Sequence, residues 1–543
     1  MKMKLTILAA LCTLFSLQGF AQVNPLSQDF KISTGTPYPV VDGLMKEYFS
    51  DGKSVALSVK TQGRKVTILR YDFTTMKEVG RQVYEDFPDN SKGQKMLELN
   101  GKLYYIFHAF NKEEGKVYVY AREISWTDGK FKPYKLLFNT SREVTISYYL
   151  EDFTSIFTLV SISFDAIPSY DGSKVLFRYR LKPLLKDDKM NFDELGLYVF
   201  DGQLEKQWGG EVKMPYTEKK MRNLAYAIGK DGRAHILASN IEAKTVELLS
   251  IKPDLKLTVK KILISEDIAF NELALKELPD GNLSVLGYYA NGWFNYAHMT
   301  DPRSNFNVVN IGIDINGIFQ CKITPDARVL EEFKIEFPIE LINQYESERQ
   351  RERNIKQENN GTAGINDLRM INIDVDSDGN TTVIGEIQFM INDYVGNSQR
   401  ATFCYYEVVA TKFDKKGKVL WQKKLPKYQE GKLGRGGMGI RYIKGKSSSY
   451  ILYLDNIKNA ELPADKAPSK HVDGKGGYLT MYKINNTTGN VEKDPIVNTL
   501  DISGVEAFQF KTSRIFNASD NIFLLEIYIK DKQDIMVKLE LKD

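Results

Sequence analysis

The stretch between Tyr288 and Arg303 holds the residues of this chain best equipped to do chemistry. Tyr289, Trp293, Phe294 and Tyr296 crowd together there, and His298, Asp301 and Arg303 follow. Flat aromatic faces beside hydrogen-bonding groups suit sugar rings or peptide side chains, because stacking and polar contacts then act on one ligand. On the residues alone, the favoured reading is that the same rings merely anchor a long loop to the structure beneath it. A second candidate is Arg435, inside GKLGRGGMG at residues 431–439. Glycines of this kind cradle a phosphate when a helix starts after them. Here the strand-like IRYI follows, so the expectation is a flexible connection that offers Arg435 to a ligand.

Metal chemistry is weakly signalled. IDVDSDGN places Asp374, Asp376 and Asp378 like the start of a calcium loop, but the twelfth position is Gly385 and the flanks read as strands. An EF-hand wants a glutamate there and helices on both sides, so a hairpin turn is favoured over calcium. Histidines 108, 235, 298 and 471 lack zinc-ligand spacing. Carboxylates are too numerous for a glycosidase-like pair to be singled out. No cofactor is expected.

The elements that must position these residues are strands. Short alternating runs rich in Val, Ile, Tyr and Phe recur along the chain, and helical periodicity is nearly absent. One turn returns with an apolar strand after it: SDGKSVALSV at Asp51, LNGKLYYIF at Asn100, YDGSKVLFRY at Asp171, KDGRAHILA at Asp231, PDGNLSVLGYY at Asp280 and SDGNTTVIGEI at Asp378. Looser versions stand at Gly445 and Asp520, which makes eight units. Asp-Gly and Asn-Gly supply the positive φ of a tight hairpin. A second turn in several units sets a bulky apolar residue seven positions after its Asp. It pairs Asp201 with Trp208, Asp326 with Phe333, Asp414 with Trp421 and Asp72 with Val79. Such a residue on a last strand would fill the widening gap to the next unit.

The segment FDKKGKVLW at Asp414, aligned with FDGQLEKQW at Asp201, resembles the D-x-x-x-G-K-x-L-W segment of quinoprotein-type repeats. The whole pattern is similar to that of the β-propeller superfamily, quinoprotein-like and WD-like repeats included. The resemblance implies an all-β propeller of about 50 to 75 residues per four-stranded blade, with eight blades, or seven as the alternative. Quinone chemistry is not expected, because there is no vicinal Cys pair and no CxxCH. The last unit holds three strands only, so DFKISTG at Asp29–Gly35 is expected to pair with Ile535–Leu541 and close the ring.

Residues 1–21 have the three parts of a bacterial export signal: Lys2 and Lys4, an apolar run, then Gly19 and Ala21 before a cut after Ala21. Leu11 is too large to precede a lipid-bearing Cys12. Cleavage removes two lysines and no acid, so the net charge falls from +4 to 4 − 2 = +2. A nearly balanced chain gives no electrostatic reason to bind nucleic acid, and no later apolar run is long enough to span a membrane. Two cysteines remain, Cys321 and Cys404, in strand-like runs where buried free thiols are expected. The organisation expected is a signal peptide at 1–21 and one propeller domain at 22–543, interrupted by a charged helical insertion at about 340–365.

Long loops on a rigid scaffold are where function tends to lie. In this chain they crowd the face reached by the strand 2–3 loops and the blade-to-blade connections. The reading is a periplasmic or extracellular binding protein that recognises a protein partner or glycan through that face. Its oligomeric state is left open. An enzyme acting on polysaccharide or peptide at the channel mouth, and an envelope-assembly scaffold, stand as alternatives.

Overall fold

A computed structural model describes residues 22–23, 26–145, 147–150, 159–162, 164–185, 190–264, 268–292, 314–395, 398–432, 437–502 and 504–542. The chain is an eight-bladed β-propeller. Blade 1 runs Met45–Ser50, Val55–Gln62, Lys65–Asp72 and Lys77–Tyr84, each strand antiparallel to the one before. The innermost strands of blades 2 to 8 are Ser91–Leu99, Asp165–Pro168, Met221–Ile228, Ile268–Glu277, Leu368–Val375, Arg441–Lys444 and Phe516–Ser519.

The repeated turn joins the first two strands of each blade, and its chemistry is local. Asp51 Oδ1 accepts from the backbone N–H groups of Lys53, Ser54 and Val55 at 2.9, 3.0 and 2.9 Å. Gly52 can take the φ of 73° that the turn requires because it has no Cβ.

The ring closes by pairing the two chain ends. Blade 8 is built from Phe516–Ser519, Ile522–Ile529 and Gln533–Leu541, and its fourth strand is Phe30–Thr34 from the N-terminal side. The register sets Phe30 against Leu541 and Thr34 against Val537. Phe30 and Ile32 are fully buried in a cluster that joins blades 7 and 8. A free sheet edge is thereby removed.

Apolar clusters fill the spaces between blades, and the residues seven places after the second turn sit there in three of four cases. Trp208 is buried on the outermost strand of blade 3, Lys206–Thr217, and donates its indole N–H to Gly232 O of blade 4 at 2.8 Å. Trp421, on Val419–Leu425 of blade 6, is buried and reaches Asn486 O of blade 7 at 3.3 Å. Phe333 packs on Phe413 of blade 6 with ring centroids 5.7 Å apart. Val79 departs from the expectation and is 46% exposed. The β-bulge of blade 1 falls at Val79 itself, between the pairs Arg70↔Gly80 and Tyr71↔Glu78. In blade 3 it falls one residue earlier, which leaves Trp208 paired with Val199 and packed against blade 4. A bulge turns its extra residue out of the alternation.

Cys321 and Cys404 are free and buried. The insertion between blades 5 and 6 holds a short helix, Ile339–Ile342, and the helix Glu348–Glu358, capped by Ser347 Oγ accepting from Gln350 N. Among the described residues no helix is long and apolar enough to cross a membrane.

Candidate functional site

Innermost strands line the central channel of a propeller, and here they carry charged and aromatic groups that bridge blades. Lys95 of blade 2 reaches Asp165 Oδ1 of blade 3 at 3.0 Å and Ala166 O at 3.1 Å. Arg178, paired with Asp165 across the first two strands of blade 3, bonds its Oδ2 at 3.1 Å. The Arg178 guanidinium also lies 4.1 Å from the ring centroid of Tyr226 in blade 4. Burial pushes the Asp165 carboxyl up, yet the charges of Lys95 and Arg178 outweigh it and hold the group below the usual carboxylate range.

Beside this cluster the wall opens into a recess of about 380 Å³, within the range of small-ligand sites. Asp165, Arg178, Asn223 and Tyr226 give it a polar side, and Ile167 and Leu273 belong to its apolar side. Asn223 Oδ1 is sheltered from solvent and has no hydrogen-bond donor among the described residues. Its backbone position follows from a bulge at Leu224, between the pairs Asn223↔Ala238 and Ala225↔Leu237. Bulges recur in the innermost strands of blades 2, 5 and 6, at Gln94, Asn271 and Ile371. They break the two-residue alternation where the strands face the channel, a device common beside functional sites.

Further round the ring, Glu272 of blade 5 accepts from Met370 N and pairs with Arg369 of blade 6 at 3.5 Å. Burial raises its carboxyl above the usual range, against the pull of those two groups. Lys444 of blade 7 bonds Asp374 of blade 6 at 2.9 Å, and Arg441 reaches Asn517 of blade 8 at 3.4 Å.

Of the residues singled out in the sequence, Tyr289 is fully buried on the second strand of blade 5, in the cluster shared with blade 4. Lys334 Nζ lies 5.4 Å from its ring centroid. Trp293, Phe294, Tyr296, His298, Arg303 and Arg435 lie outside the described residues. The calcium candidates serve a hairpin. Asp374 binds Lys444, while Asp376 pairs with Lys412 at 2.9 Å and accepts the backbone N–H groups of Asp378 and Asn380. Among the described residues no three His, Cys, Asp or Glu side chains are grouped to hold a metal. His108, His235 and His471 are buried, and burial lowers each to about 4. The sequence reading missed Asp165, Arg178, Asn223 and Tyr226. A lone charge in a strand carries no signal of its partner; the one legible hint was that Asp165 opens the strand before the Asp171 turn.

No family model matches the chain, and no curated protein matches its sequence. Similar solved structures include the polysaccharide lyase Uly1, at 10% identity and a TM-score of 0.39, covering 93% of this chain and 91% of that one. The WD40 domain of SCAP from fission yeast matches at 9% identity and a TM-score of 0.37, over 97% and 98%. An oligogalacturonate lyase in complex with manganese matches at 8% and 0.33, over 94% and 98%. These likenesses concern the propeller fold alone.

Proposed function

We propose that the chain is an exported propeller of the periplasm or extracellular space that binds a protein partner or glycan through its long-loop face. The channel recess takes one group of that ligand. The observation that carries this reading is the recess itself: an apolar wall faces an ion pair, an aromatic ring and the carbonyl of Asn223, which has no donor among the described residues. A buried acceptor without a donor costs about 1–3 kcal/mol, which a ligand hydroxyl or N–H would relieve. The export signal at 1–21 supports the compartment.

The test is capture from envelope extract, together with a glycan array, using residues 22–543 and an Asn223→Leu variant. The reading requires a specific ligand whose binding weakens in the variant while the melting temperature is kept. Equal capture by both proteins would remove the recess from the site.

A further inference from the structure

The second and third strands of blade 6, Thr381–Val395 and Ser398–Phe413, run on past their blade. The first strand follows the second only to Ile387, and the fourth follows the third only to Val408. From the pair Gln388↔Tyr405 onward the hairpin stands on the long-loop face. Two other segments join it there. Gln429–Gly431 of the blade 6–7 connection pairs with Phe403–Tyr405, and His471–Val472 of the blade 7 loop lies parallel to Gln429 and Glu430.

Alternation gives this raised sheet two faces. One is dry: Phe403, Tyr405, Gln429 and His471 are buried, and the first two pack with Met438. The other should then be polar, as the solvent side of a half-buried sheet is. It carries rings and aliphatic groups instead. Ile391 and Val472 are each 39% exposed, and Phe389, Tyr406 and Tyr428 are half-buried. The pairs Phe389↔Cys404, Cys404↔Glu430 and Glu430↔Val472 set one side of the sheet. Tyr406 meets Phe389 and Tyr428 edge to face, with centroids 4.8 and 4.9 Å apart. Among these groups Glu430 accepts from the Tyr406 and Tyr428 hydroxyls at 2.8 and 3.0 Å and from Lys470 at 2.8 Å. The side chains of Glu430 and Lys470 are 16% and 43% exposed, so a ligand can reach both.

We propose that this face is a saccharide platform, on which Tyr406 and Tyr428 meet the apolar side of a neutral sugar while Glu430 and Lys470 hydrogen-bond its hydroxyls. Chemistry decides among the occupants. A protein partner would bury the middle of the patch, and the core of such interfaces is depleted in charged side chains. An acidic polymer or anionic headgroup would want surplus cations, whereas Glu430 and Lys470 cancel. A sugar hydroxyl both donates and accepts, so it suits a carboxylate and an ammonium side by side. The rings and aliphatic groups supply the apolar contact. Glu430 also holds both tyrosines by their hydroxyls, so little side-chain freedom is lost on binding. The proposal rests on the reading that the long-loop face binds a ligand, and it chooses the glycan. The platform belongs to blades 6 and 7 and is a separate contact from the recess at blades 3 to 5.

The experiment is a glycan array probed with residues 22–543, followed by calorimetric titration of each neutral oligosaccharide that binds. Wild type is compared with Tyr428→Ala, Lys470→Met and Asn223→Leu. The expected result is binding of a neutral oligosaccharide, weakened about tenfold or more by Tyr428→Ala, as for an aromatic hot spot, and detectably by Lys470→Met. Lys470 is exposed enough for its replacement to leave folding intact, so that variant decides should Tyr428→Ala fail to fold. A wild-type chain that binds no neutral oligosaccharide, or only acidic ones, would overturn the proposal. Unchanged affinity in either of the first two variants, with or without a lower melting temperature, would overturn it too. Affinity lost in Asn223→Leu but kept in the other two would leave the recess as the site and remove the platform. A captured protein that binds Tyr428→Ala as well as wild type, without any array hit, would keep the binding face and likewise remove the platform.

Discussion

Replacing Lys60 by Met should damage the ring where it closes. The Lys60 side chain is wholly inaccessible and lies 2.8 Å from Glu526 and 2.9 Å from Asp534, whose side chains are 3% and 2% exposed. Tyr38 and Tyr48 also donate to Glu526, at 2.8 and 2.7 Å. Lys60 belongs to blade 1, and both acids belong to blade 8. Burial pushes the Glu526 carboxyl up, but Lys60 and the tyrosines outweigh it and hold the group below its usual range. Without the lysine, two carboxylates remain in a dry interface with no cation in contact. Breaking a buried pair by removing one partner costs about 3–5 kcal/mol. Urea unfolding of residues 22–543 at pH 7 measures the loss. Lys60→Met raises both carboxyls above their unfolded values, so in the variant folding is opposed above the carboxylate range and less so as pH falls into it. The deficit should therefore shrink between pH 7 and 5, and Lys60→Met/Glu526→Gln should recover part of it. A deficit under about 1 kcal/mol at pH 7, or one that grows on acidification, would refute the reasoning.

Trp208→Ala and Trp421→Ala should each cost about 3–5 kcal/mol in the same assay, because both rings fill gaps between blades; a cost near zero would contradict that packing. Deleting residues 22–35 removes the fully buried Phe30 and Ile32 and bares an edge; light scattering should show association and the melting temperature should fall, whereas monodisperse protein with unchanged melting would refute closure. Stability should fall as pH drops from 7 to 5. His108, His235 and His471 titrate near 4 when folded and near 6.5 when unfolded, so the unfolded chain binds more protons in that window. Each histidine contributes about 2 kcal/mol of loss at pH 5, and His235→Gln should flatten the slope measured by melting curves.

Architecture was legible because its signals are local. Asp51 and Gly52 specify their turn by their own side-chain chemistry, whatever the rest of the chain does. Trp208 and Trp421 were placed by their distance from such turns, and the same rule misplaced Val79 because a bulge shifted by one residue leaves no mark in composition. The channel site was illegible for a different reason. Lys95 and Asp165 are 70 positions apart, and Lys60 meets Asp534 across 474. No spacing rule reaches across blades, so these partners follow only once the ring is closed. Tyr289 belonged to an aromatic run whose base is a strand, and the strand buries it.

The claim that the long-loop face is the binding surface is tested most directly through Trp293. The measurement is the affinity of the captured ligand for Trp293→Ala beside wild type, with melting curves of both proteins. A recognition surface predicts binding weaker by about 2 kcal/mol or more, the scale of an aromatic hot spot, and an unchanged melting temperature. Lost stability with intact binding would make the aromatic run a loop anchor and contradict the account.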